Sequence, residues 1–301
     1  VIYTKNELLE LGILKSFGYK GLPPVVVGMH TLLYIPNPVS KHDYFHNFLY
    51  AGFLYRFLLK ETKMAHVINS DDLQLVRDRL GLESVRKIIL PFRANDSEPL
   101  SSRSEADVLN VLFVGRLTPP KGIDILTKCI ELLSSKDDFK FFRFRIAGSG
   151  DPDFTRIVEE LAEKHSNVEY LGHVPNDTTQ SLYQWSDVVI IPSRGETANY
   201  VALEAGSNGR VVIASDIPGP REAIQDGKTG FLLPVNAELF SEKLLFLLET
   251  KRRNPEELLN MGKQAREYIM KKFNPEDIYE QFREMLTECA VSDNKDFDQD
   301  K

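Results

Sequence analysis

The most constraining feature of this sequence is a series of six short apolar segments after residue 107, each separated from the next by an amphipathic stretch. Each segment is five to seven residues long, which suits a strand and is too short for a typical helix. Parallel strands that are buried on both faces read as continuous apolar runs joined by helices. The pattern therefore predicts an α/β fold with a doubly wound parallel sheet. The segments are VLFVG (111–115), FRFRIAG (142–148), VEYLG (168–172), VVIIPS (188–193), RVVIAS (210–215) and GFLLP (230–234).

A less regular alternation of the same kind precedes residue 94 and predicts a second domain of the same class, which is incomplete. A polar stretch with a proline separates the two regions. We therefore assign 1–93 to the first domain, 94–107 to a linker and 108–274 to the second domain. The strand signals of the first domain are VIYT (1–4), PPVVVGMH (23–30), AHVINS (65–70) and KIILPF (87–92), and its helical signals are 7–17, 42–60 and 71–80.

The two ends of the chain carry different signals. The sequence opens on Val1, without a methionine and directly in a predicted strand, so we expect further residues upstream in the native protein. At the other end, two helices that each open with Asn-Pro are predicted over 255–272 and 275–289. The acidic tail, 291–301, has few apolar residues, and we expect it to fray.

Charge and cysteine content narrow the function classes. The formal net charge is −7, which argues against a dedicated nucleic-acid binder. Cys129 and Cys289 are far apart and have no metal-ligand spacing, which fits a reduced compartment. The longest apolar run (48–59) is interrupted by Arg56 and is too short to cross a bilayer. We therefore expect a cytoplasmic protein.

Two carboxylates in SRGETANYVALEAGS (193–207) are the first candidates for a binding site. Glu196 lies in a loop after a predicted strand. Glu204 lies on an apolar helix with no cation at three or four positions either way. A carboxylate in apolar surroundings needs a polar partner, and the vicinal hydroxyls of a ribose or a hexose suit it. The alternative pairs Glu196 with a helix dipole and Glu204 with a remote Lys or Arg.

Basic residues follow the first strand of the second domain, in GRLTPPKG (115–122). Lys121 stands at the start of a predicted helix, where the helix dipole disfavours a cation unless an anion shares the position. Arg116, Lys121 and the helix N-terminus could together bind a diphosphate, although the spacing is not that of a P-loop. The alternative is an exposed Arg and Lys beside a Pro-Pro turn.

Glycines follow the second and third strands of the same domain. Gly148 and Gly150 in AGSGD could let the backbone approach a flat ligand, or could simply form a turn. Gly172, His173 and Val174 in GHVPN could present backbone groups to a base edge, or could form an ordinary loop. Because open α/β sheets bind ligands outside the carboxyl ends of their strands, these loops indicate one common site.

These motifs, in this order and at these intervals, resemble the retaining glycosyltransferases of family 4, which have the GT-B fold. The resemblance rests on GRLTPPKG, IAGSGD, VEYLGHVP, SDVVIIPS and a glutamate pair with seven residues between its members. It is dense over 108–290 and loose over 23–93. It implies two Rossmann-like domains that face each other across a cleft, the first binding the acceptor and the second the nucleotide sugar. It also implies a final helix (275–290) that crosses back onto the first domain.

The resemblance implies roles for single residues. Arg116 and Lys121 would bind the diphosphate of the donor, Glu196 its hexose hydroxyls and Glu204 its ribose hydroxyls. His30, at the end of VVVGMH, would lie near the transferred sugar. No metal is implied, and no cofactor besides the nucleoside-diphosphate sugar, with UDP or GDP as the nucleotide. The other donor-binding candidates are Gly148, Gly150, Gly172, His173, Val174, Thr197, Ala198, Asn199 and Tyr200.

The chain departs from the family pattern in three places. Thr197, Ala198 and Asn199 stand where the family has Gly-Phe-Gly, which leaves the donor preference open. PFRAN (91–95) replaces an Asn-Gly before the linker. The first strand–helix units of the first domain, with their glycine-rich loop, are missing from this sequence, and those units supply much of the acceptor cleft in the family.

The aromatic segment HDYFHNFLYAGFLYRFLLK (42–60) carries a stripe of apolar residues at helical spacing. We expect the stripe to face a core or an interdomain contact. The alternative is an acceptor surface, or a peripheral contact with the cytoplasmic face of a membrane, since many relatives modify lipid-linked acceptors. The stripe is Phe45, Phe48, Leu49, Phe53 and Phe57.

The function that these observations favour is retaining transfer of a hexose from a nucleoside-diphosphate sugar to a hydroxyl acceptor, either a glycan or a lipid-linked molecule. Cations and helix N-termini would stabilise the departing diphosphate. Three alternatives stay open. They are a catalytically incomplete nucleotide-sugar-binding module, a glycoside hydrolase that uses Glu196 and Glu204 as its two carboxylates, and a nucleotide-sugar epimerase.

Overall fold

The structure is a computed structural model of the chain. It divides into two units, of which the first is Val1–Phe92 with Phe273–Lys301 and the second is Arg93–Lys272. Most of the linker and of the helix predicted over 7–17 lie outside the described residues. The structure describes residues 1–5, 12, 23–30, 33–34, 41–50, 52–60, 62–94, 107–175 and 178–299.

The first unit is built on a parallel sheet. Its strands are β1 (Ile2–Lys5), β2 (Val25–Met29), β3 (Met64–Val67) and β4 (Val85–Lys87). Its helices before residue 93 are α1 (Lys41–Tyr50), α2 (Phe53–Leu59) and α3 (Ser70–Asp78). The strands pair in the order β1-β2-β3-β4, and every residue of β2 and β3 is buried. Strand β4 ends at Lys87, whereas the predicted strand ran on to residue 92 and included Pro91, which has no N–H to donate to a sheet.

The aromatic segment forms two helices, α1 and α2, rather than one. Phe45 and Phe48 on α1 are 59% and 72% exposed, and Phe57 on α2 is 47% exposed, so the expectation that this stripe faces a core is wrong at these three positions. Tyr55 and Leu59 on α2 are fully buried instead, in one cluster with alternate residues of β2. Within the described residues, the length and apolar character needed to span a membrane do not occur together in any helix.

The second unit contains the six strands that the sequence predicts, each within a few residues of its predicted bounds. They are β5 (Leu109–Val114), β6 (Phe142–Ala147), β7 (Val168–Gly172), β8 (Val188–Ile191), β9 (Val211–Ser215) and β10 (Gly230–Leu233). Its helices are α4 (Ile123–Ser134), α5 (Pro152–Lys164), α6 (Thr179–Trp185), α7 (Tyr200–Ser207), α8 (Pro218–Ala223), α9 (Ala237–Arg253) and α10 (Pro255–Lys272).

The strands of the second unit are all parallel, in the order β10-β9-β8-β5-β6-β7. The chain starts at β5 in the centre, moves outward to β7, and then returns to the other side of β5 with β8. The carboxyl ends of β5 and β8 are therefore neighbours, although the chain leaves them toward different edges. Sheets of this kind bind ligands in the crevice at that switch point. The doubly wound fold class is thereby confirmed.

The last helix belongs to the first unit. Helix α11 (Pro275–Gln299) packs Ile278, Met285 and Cys289 against Val26 and Met64 of the first unit's sheet. The helix begins where it was predicted but continues to Gln299, so the acidic tail is helical over most of its length instead of frayed. Extending an existing helix costs much less than starting one, which allows a polar stretch to continue it.

Candidate functional site

The loops after β5 and β8 meet at the centre of the second sheet and hold the predicted residues Arg116, Lys121 and Glu196. The loop after β5 contains a short 3₁₀ turn, Pro119–Lys121, and leads into α4. The loop after β8 leads into α7. The backbone N–H of Arg194 donates to Pro120 O at 2.8 Å, so the two loops are joined directly.

Lys121 and Glu196 form an ion pair between these loops. Lys121 Nζ lies 2.5 Å from Glu196 Oε1, and Ser193 Oγ donates to the same oxygen at 2.9 Å. The Glu196 side chain is 11% exposed and that of Lys121 is 27% exposed, so the pair is partly shielded from water. Lys121 stands at a helix start, where the helix dipole disfavours a cation unless an anion lies beside it. Glu196 supplies that anion. The ammonium group of Lys121 and the carboxylate of Glu196 therefore lie side by side where the two loops meet.

A second ion pair, which was not predicted, fastens the same loops. The Arg194 guanidinium donates to both carboxylate oxygens of Asp124, at 2.7 and 2.5 Å, and to Pro119 O at 2.7 Å. Burial acts to raise the pKa of Asp124, but the hydrogen bonds and charge of Arg194 outweigh it and hold that pKa below its ordinary value. Because bidentate pairing fixes both position and orientation, Lys121 and Glu196 are held on a rigid frame.

Gly122 makes the close approach of the two loops feasible. Its φ is +69°, in the left-handed region that favours glycine, and a Cβ there would lie 1.9 Å from Pro192 O. Any side chain at this position would therefore push the loop after β5 away from the loop after β8. The ion pairs described above depend on that contact.

Glu204 lies on α7 and is partly buried. Its Oε2 accepts a hydrogen bond from the Tyr183 hydroxyl at 2.5 Å. Tyr183 is 1% exposed, and burial, followed by the charge and hydrogen bond of Glu204, raises the pKa of its hydroxyl, which therefore keeps its proton and donates. Among the described residues the partner of this carboxylate is a tyrosine and not the remote Lys or Arg of the alternative. A carboxylate has about four acceptor positions, and Tyr183 fills one of them.

The loop after β6 is hydrogen-bonded to the loop after β5 on one side and to the end of β7 on the other. Gly148 N donates to Gly172 O at 2.7 Å, and Leu117 N donates to Ser149 O at 3.1 Å. A Cβ on Gly148 would lie 1.8 Å from the backbone of the loop after β5, and one on Gly150 would lie 2.5 Å from it. These glycines therefore serve close packing of backbone on backbone, at the same edge of the sheet as Lys121.

The residues between the two glutamates divide into buried and exposed positions. Asn199 is 5% exposed and caps α7, since its Oδ1 accepts from Ala202 N at 2.9 Å. Tyr200, the next residue, is 47% exposed. Other predicted residues lie at the same loops, with Arg116 and His173 exposed and with Val174, Thr197 and Ala198 partly buried.

His30 lies in the first unit, directly after β2. Its Nε2 is 2.9 Å from Tyr3 Oη and 3.2 Å from His66 Nδ1. Tyr3 Oη is also 2.7 Å from His66 Nδ1. The sequence identified His30 but neither partner, because Tyr3 and His66 come from β1 and β3 and are brought to β2 only by the parallel pairing of the strands.

The second unit's site brings together groups that suit an anion and groups that suit hydroxyls. Lys121 and the N-terminus of α4 present positive charge at the carboxyl edge of β5. Glu196 and Glu204 present carboxylate oxygens that accept hydrogen bonds from hydroxyls. In the part of the chain that the structure describes, no group of three or more His, Cys, Asp or Glu side chains is placed to hold a metal ion.

Sequence comparisons relate the second unit to a known family. The family model described as Glycosyl transferases group 1 matches residues 109–250. An uncharacterized 41.2 kDa protein in the cps region of Klebsiella pneumoniae is 31% identical, over 70% of this chain and 54% of its own length. A D-inositol 3-phosphate glycosyltransferase of Corynebacterium glutamicum (strain R) is 30% identical, over 52% of this chain and 38% of its own length. The chain thus spans about half or less of the length of these relatives.

Solved structures share the fold across both units. Sucrose-phosphate synthase from Thermosynechococcus elongatus has a TM-score of 0.79 at 20% identity, over 97% of this chain and 74% of its own. HepE from Anabaena, in complex with UDP-glucose, has a TM-score of 0.70 at 21% identity, over 95% of this chain and 78% of its own. The chain therefore contains a group 1 glycosyltransferase domain over residues 109–250, and its structure has the GT-B fold.

Proposed function

We propose that this protein is a retaining glycosyltransferase that moves a hexose from a UDP-sugar to a hydroxyl group of a glycan or lipid-linked acceptor. The observation that carries the proposal is the Lys121–Glu196 pair at the switch point between β5 and β8. Glu204, held by Tyr183, supplies a second carboxylate on the helix that follows Glu196. UDP is preferred to GDP in this proposal because a structural neighbour, HepE, binds UDP-glucose.

Donor binding would exchange the internal partners of the site for groups of the nucleotide sugar. Lys121 Nζ would turn from Glu196 to the diphosphate, and the exposed Arg116 would close on the same charge. Glu196 would then accept hydrogen bonds from hydroxyls of the hexose. Glu204 would accept from the ribose hydroxyls, while Tyr183 keeps its carboxylate oriented.

Transfer breaks the bond between the anomeric carbon of the sugar and a diphosphate oxygen, so negative charge develops on the leaving diphosphate. Lys121, Arg116 and the N-terminus of α4 would stabilise that charge. The acceptor oxygen forms its bond to the anomeric carbon on the face that the diphosphate leaves, which retains the configuration. The proton of the acceptor hydroxyl passes to the departing diphosphate. In this scheme the protein's cations meet the charge without a metal, and His30 lies near the transferred sugar.

The ribose role of Glu204 is tested by the variant Glu204→Ala. Hydrogen bonds to a charged group contribute about 1.5–3 kcal/mol, so loss of the carboxylate should weaken UDP binding by roughly 10- to 100-fold. Isothermal titration calorimetry with UDP measures the change. Glu163→Ala, which removes an exposed carboxylate on α5, is the matched control and should bind UDP as the wild type does. Undiminished UDP affinity in Glu204→Ala would show that the ribose is held elsewhere.

The donor and the reaction are tested together. A thermal-shift panel of UDP-, GDP- and ADP-sugars identifies the donor, and NMR of the transfer product reads its anomeric configuration. Release of sugar from a simple glycoside without nucleotide would indicate a glycoside hydrolase instead. Conversion of free donor with no acceptor present would indicate an epimerase. Donor binding without transfer, in a chain that includes upstream residues, would indicate a binding module.

A further inference from the structure

We propose that Tyr3 and His66 are positioning residues for His30, and that together they hold its imidazole in one orientation with a proton on Nε2. The inference rests on the proposed function, in which His30 lies near the transferred sugar. It adds two residues that no sequence motif indicates. All three side chains belong to the first unit, on β1, directly after β2, and on β3.

The positions of the protons on the three side chains follow from one backbone carbonyl, Ile88 O, which can only accept a hydrogen bond. His66 Nε2 lies 2.8 Å from Ile88 O, so His66 carries a proton on Nε2. Burial lowers the pKa of His66 to about 4, although the hydrogen bond to Ile88 opposes the shift, so the ring is neutral near pH 7. The Nδ1 atom of a neutral ring protonated at Nε2 is an acceptor.

Tyr3 donates to that acceptor. Burial raises the pKa of Tyr3 to about 12, so its hydroxyl keeps its proton, and Oη lies 2.7 Å from His66 Nδ1. A phenol has one proton to donate, so Tyr3 can offer His30 only a lone pair. His30 Nε2, 2.9 Å from Oη, must therefore be the donor of that contact. His30 Nε2 also lies 3.2 Å from His66 Nδ1, so the His30 proton can be shared between Tyr3 Oη and His66 Nδ1.

The packing of the sheet makes room for this arrangement. Gly28 of β2 is the register partner of His66, and a Cβ on Gly28 would lie 2.0 Å from Tyr3 Oη. Glycine in a buried strand leaves the space of a side chain empty, which weakens the strand unless another group fills that space. Here the Tyr3 hydroxyl fills it. Phe282 of α11 packs edge-on against both rings, with centroids 5.2 Å from Tyr3 and 5.6 Å from His66. The orientation of Tyr3 is therefore fixed from several sides.

The consequence for the proposed reaction concerns which nitrogen can act. With the proton of the neutral ring on Nε2 and that N–H directed at Tyr3, Nδ1 is the acceptor atom of His30. A substrate hydroxyl near the transferred sugar would then meet Nδ1. Without Tyr3, neither the proton nor the orientation of the ring would be fixed by this contact.

The first test is spectroscopic and needs no substrate. In the wild-type chain, long-range proton–nitrogen correlation NMR should show His30 protonated at Nε2, with that proton protected from exchange, and His30→Gln assigns the signal by its loss. Tyr3→Phe and Gly28→Ala remove or displace the hydroxyl and should reduce the protection, because only the 3.2 Å contact with His66 Nδ1 remains. Tyr44→Phe, the same change at a tyrosine that is 63% exposed, should leave it intact. A His30 proton found on Nδ1, or protection that is undiminished in Tyr3→Phe, would overturn the proposal.

The second test is kinetic and separates this proposal from the proposed function. Tyr3→Phe should lower kcat about tenfold, which is about 1.4 kcal/mol of barrier. The KM for UDP-sugar should not change, because the donor-binding candidates lie in the second unit. An unchanged kcat would refute the positioning role. Failure of the wild-type chain to bind UDP or to transfer sugar would count against the proposed function instead, and the NMR result would still decide whether Tyr3 holds His30.

Discussion

Lys121 and Glu196 neutralise each other across two loops, and this pairing sets the charge that an incoming donor meets. The two residues are 75 positions apart in sequence and 2.5 Å apart in space. A partly buried pair is screened by salt much less than an exposed one. A diphosphate must therefore compete with Glu196 for Lys121. Glu196 would thus weaken the binding of nucleotide alone while it serves the sugar.

The variant Glu196→Gln should separate these two effects. Glutamine keeps the shape of the side chain but removes the charge, so Lys121 is released and UDP should bind several-fold more tightly, a gain of about 1 kcal/mol. Sugar transfer should fall, because a hydroxyl donates a stronger hydrogen bond to a carboxylate than to an amide. Calorimetry with UDP and initial rates with the UDP-sugar measure the two quantities, with Glu163→Gln as the exposed control. Weaker UDP binding in Glu196→Gln would contradict the competition.

Site residues could be predicted from the sequence where a side chain is out of place locally. Lys121 is a cation at a helix start and Glu204 a carboxylate on an apolar helix, and both signals are visible without a structure. Tyr183 and Arg194 could not be found in this way, because a tyrosine on an amphipathic helix and an arginine in a loop look ordinary. Their roles come only from contacts with residues distant in sequence, so the fold was needed to identify them.

Among the elements, the loop after β5 depends on a glycine as much as on its charged residues, and Gly122→Ala should show this. Gly122 and Gly227 have φ of +69° and +70°, so alanine costs about 1 kcal/mol of backbone strain at either position. At 122 the new Cβ would also lie 1.9 Å from Pro192 O, whereas at 227 nothing lies within 4 Å. We therefore expect Gly122→Ala to lose several times more stability than the control Gly227→Ala.

Chemical denaturation and UDP titration of the two glycine variants provide the measurement. Gly122→Ala should also bind UDP more weakly, because the loop must move and take Lys121 away from its position. Gly227→Ala should bind UDP as the wild type does. Equal losses of unfolding free energy in the two variants would show that the loop after β5 is not held against Pro192.

The elements of the two units could be predicted to different degrees. The strands of the second unit are short, buried and bounded by glycine, proline or polar residues, so their apolar runs mark them within a few positions. In the first unit the aromatic segment breaks into α1 and α2, and Phe45 and Phe48 are exposed. Apolar residues at helical spacing predict that a face is suited to burial. They do not identify what would cover that face, and this is why the core prediction failed.

At the scale of the whole molecule, the first unit is assembled from both ends of the chain. A truncated chain that stops at Lys272 tests whether the first unit needs α11. Without α11, the side chains of Val26, Met64 and Ile88 would be uncovered. We expect the first unit to lose its cooperative thermal transition while the second unit keeps its own transition and its UDP affinity. A control chain that stops after Val291 retains Ile278, Met285 and Cys289 and should behave as the wild type. Loss of UDP binding on truncation at Lys272 would show that the second unit does not fold alone.

The fold class of the whole molecule could be predicted because strand–helix alternation allows few architectures, and the GT-B fold that the resemblance implies is confirmed. The extent of α11 could not be predicted, since its last residues carry no apolar pattern. The return of α11 to the first unit was implied by the family resemblance alone, because no local pattern in the sequence joins residues from opposite ends of the chain.

The divided first unit has a consequence for biosynthesis. A ribosome releases β1 to β4 before α11 exists, so one apolar face of the new sheet stays uncovered while all of Arg93–Lys272 emerges. The second unit is continuous in sequence and can fold as soon as it leaves the exit tunnel. The middle of the chain would thus mature before its beginning does, and the waiting sheet is the segment that a chaperone would have to protect.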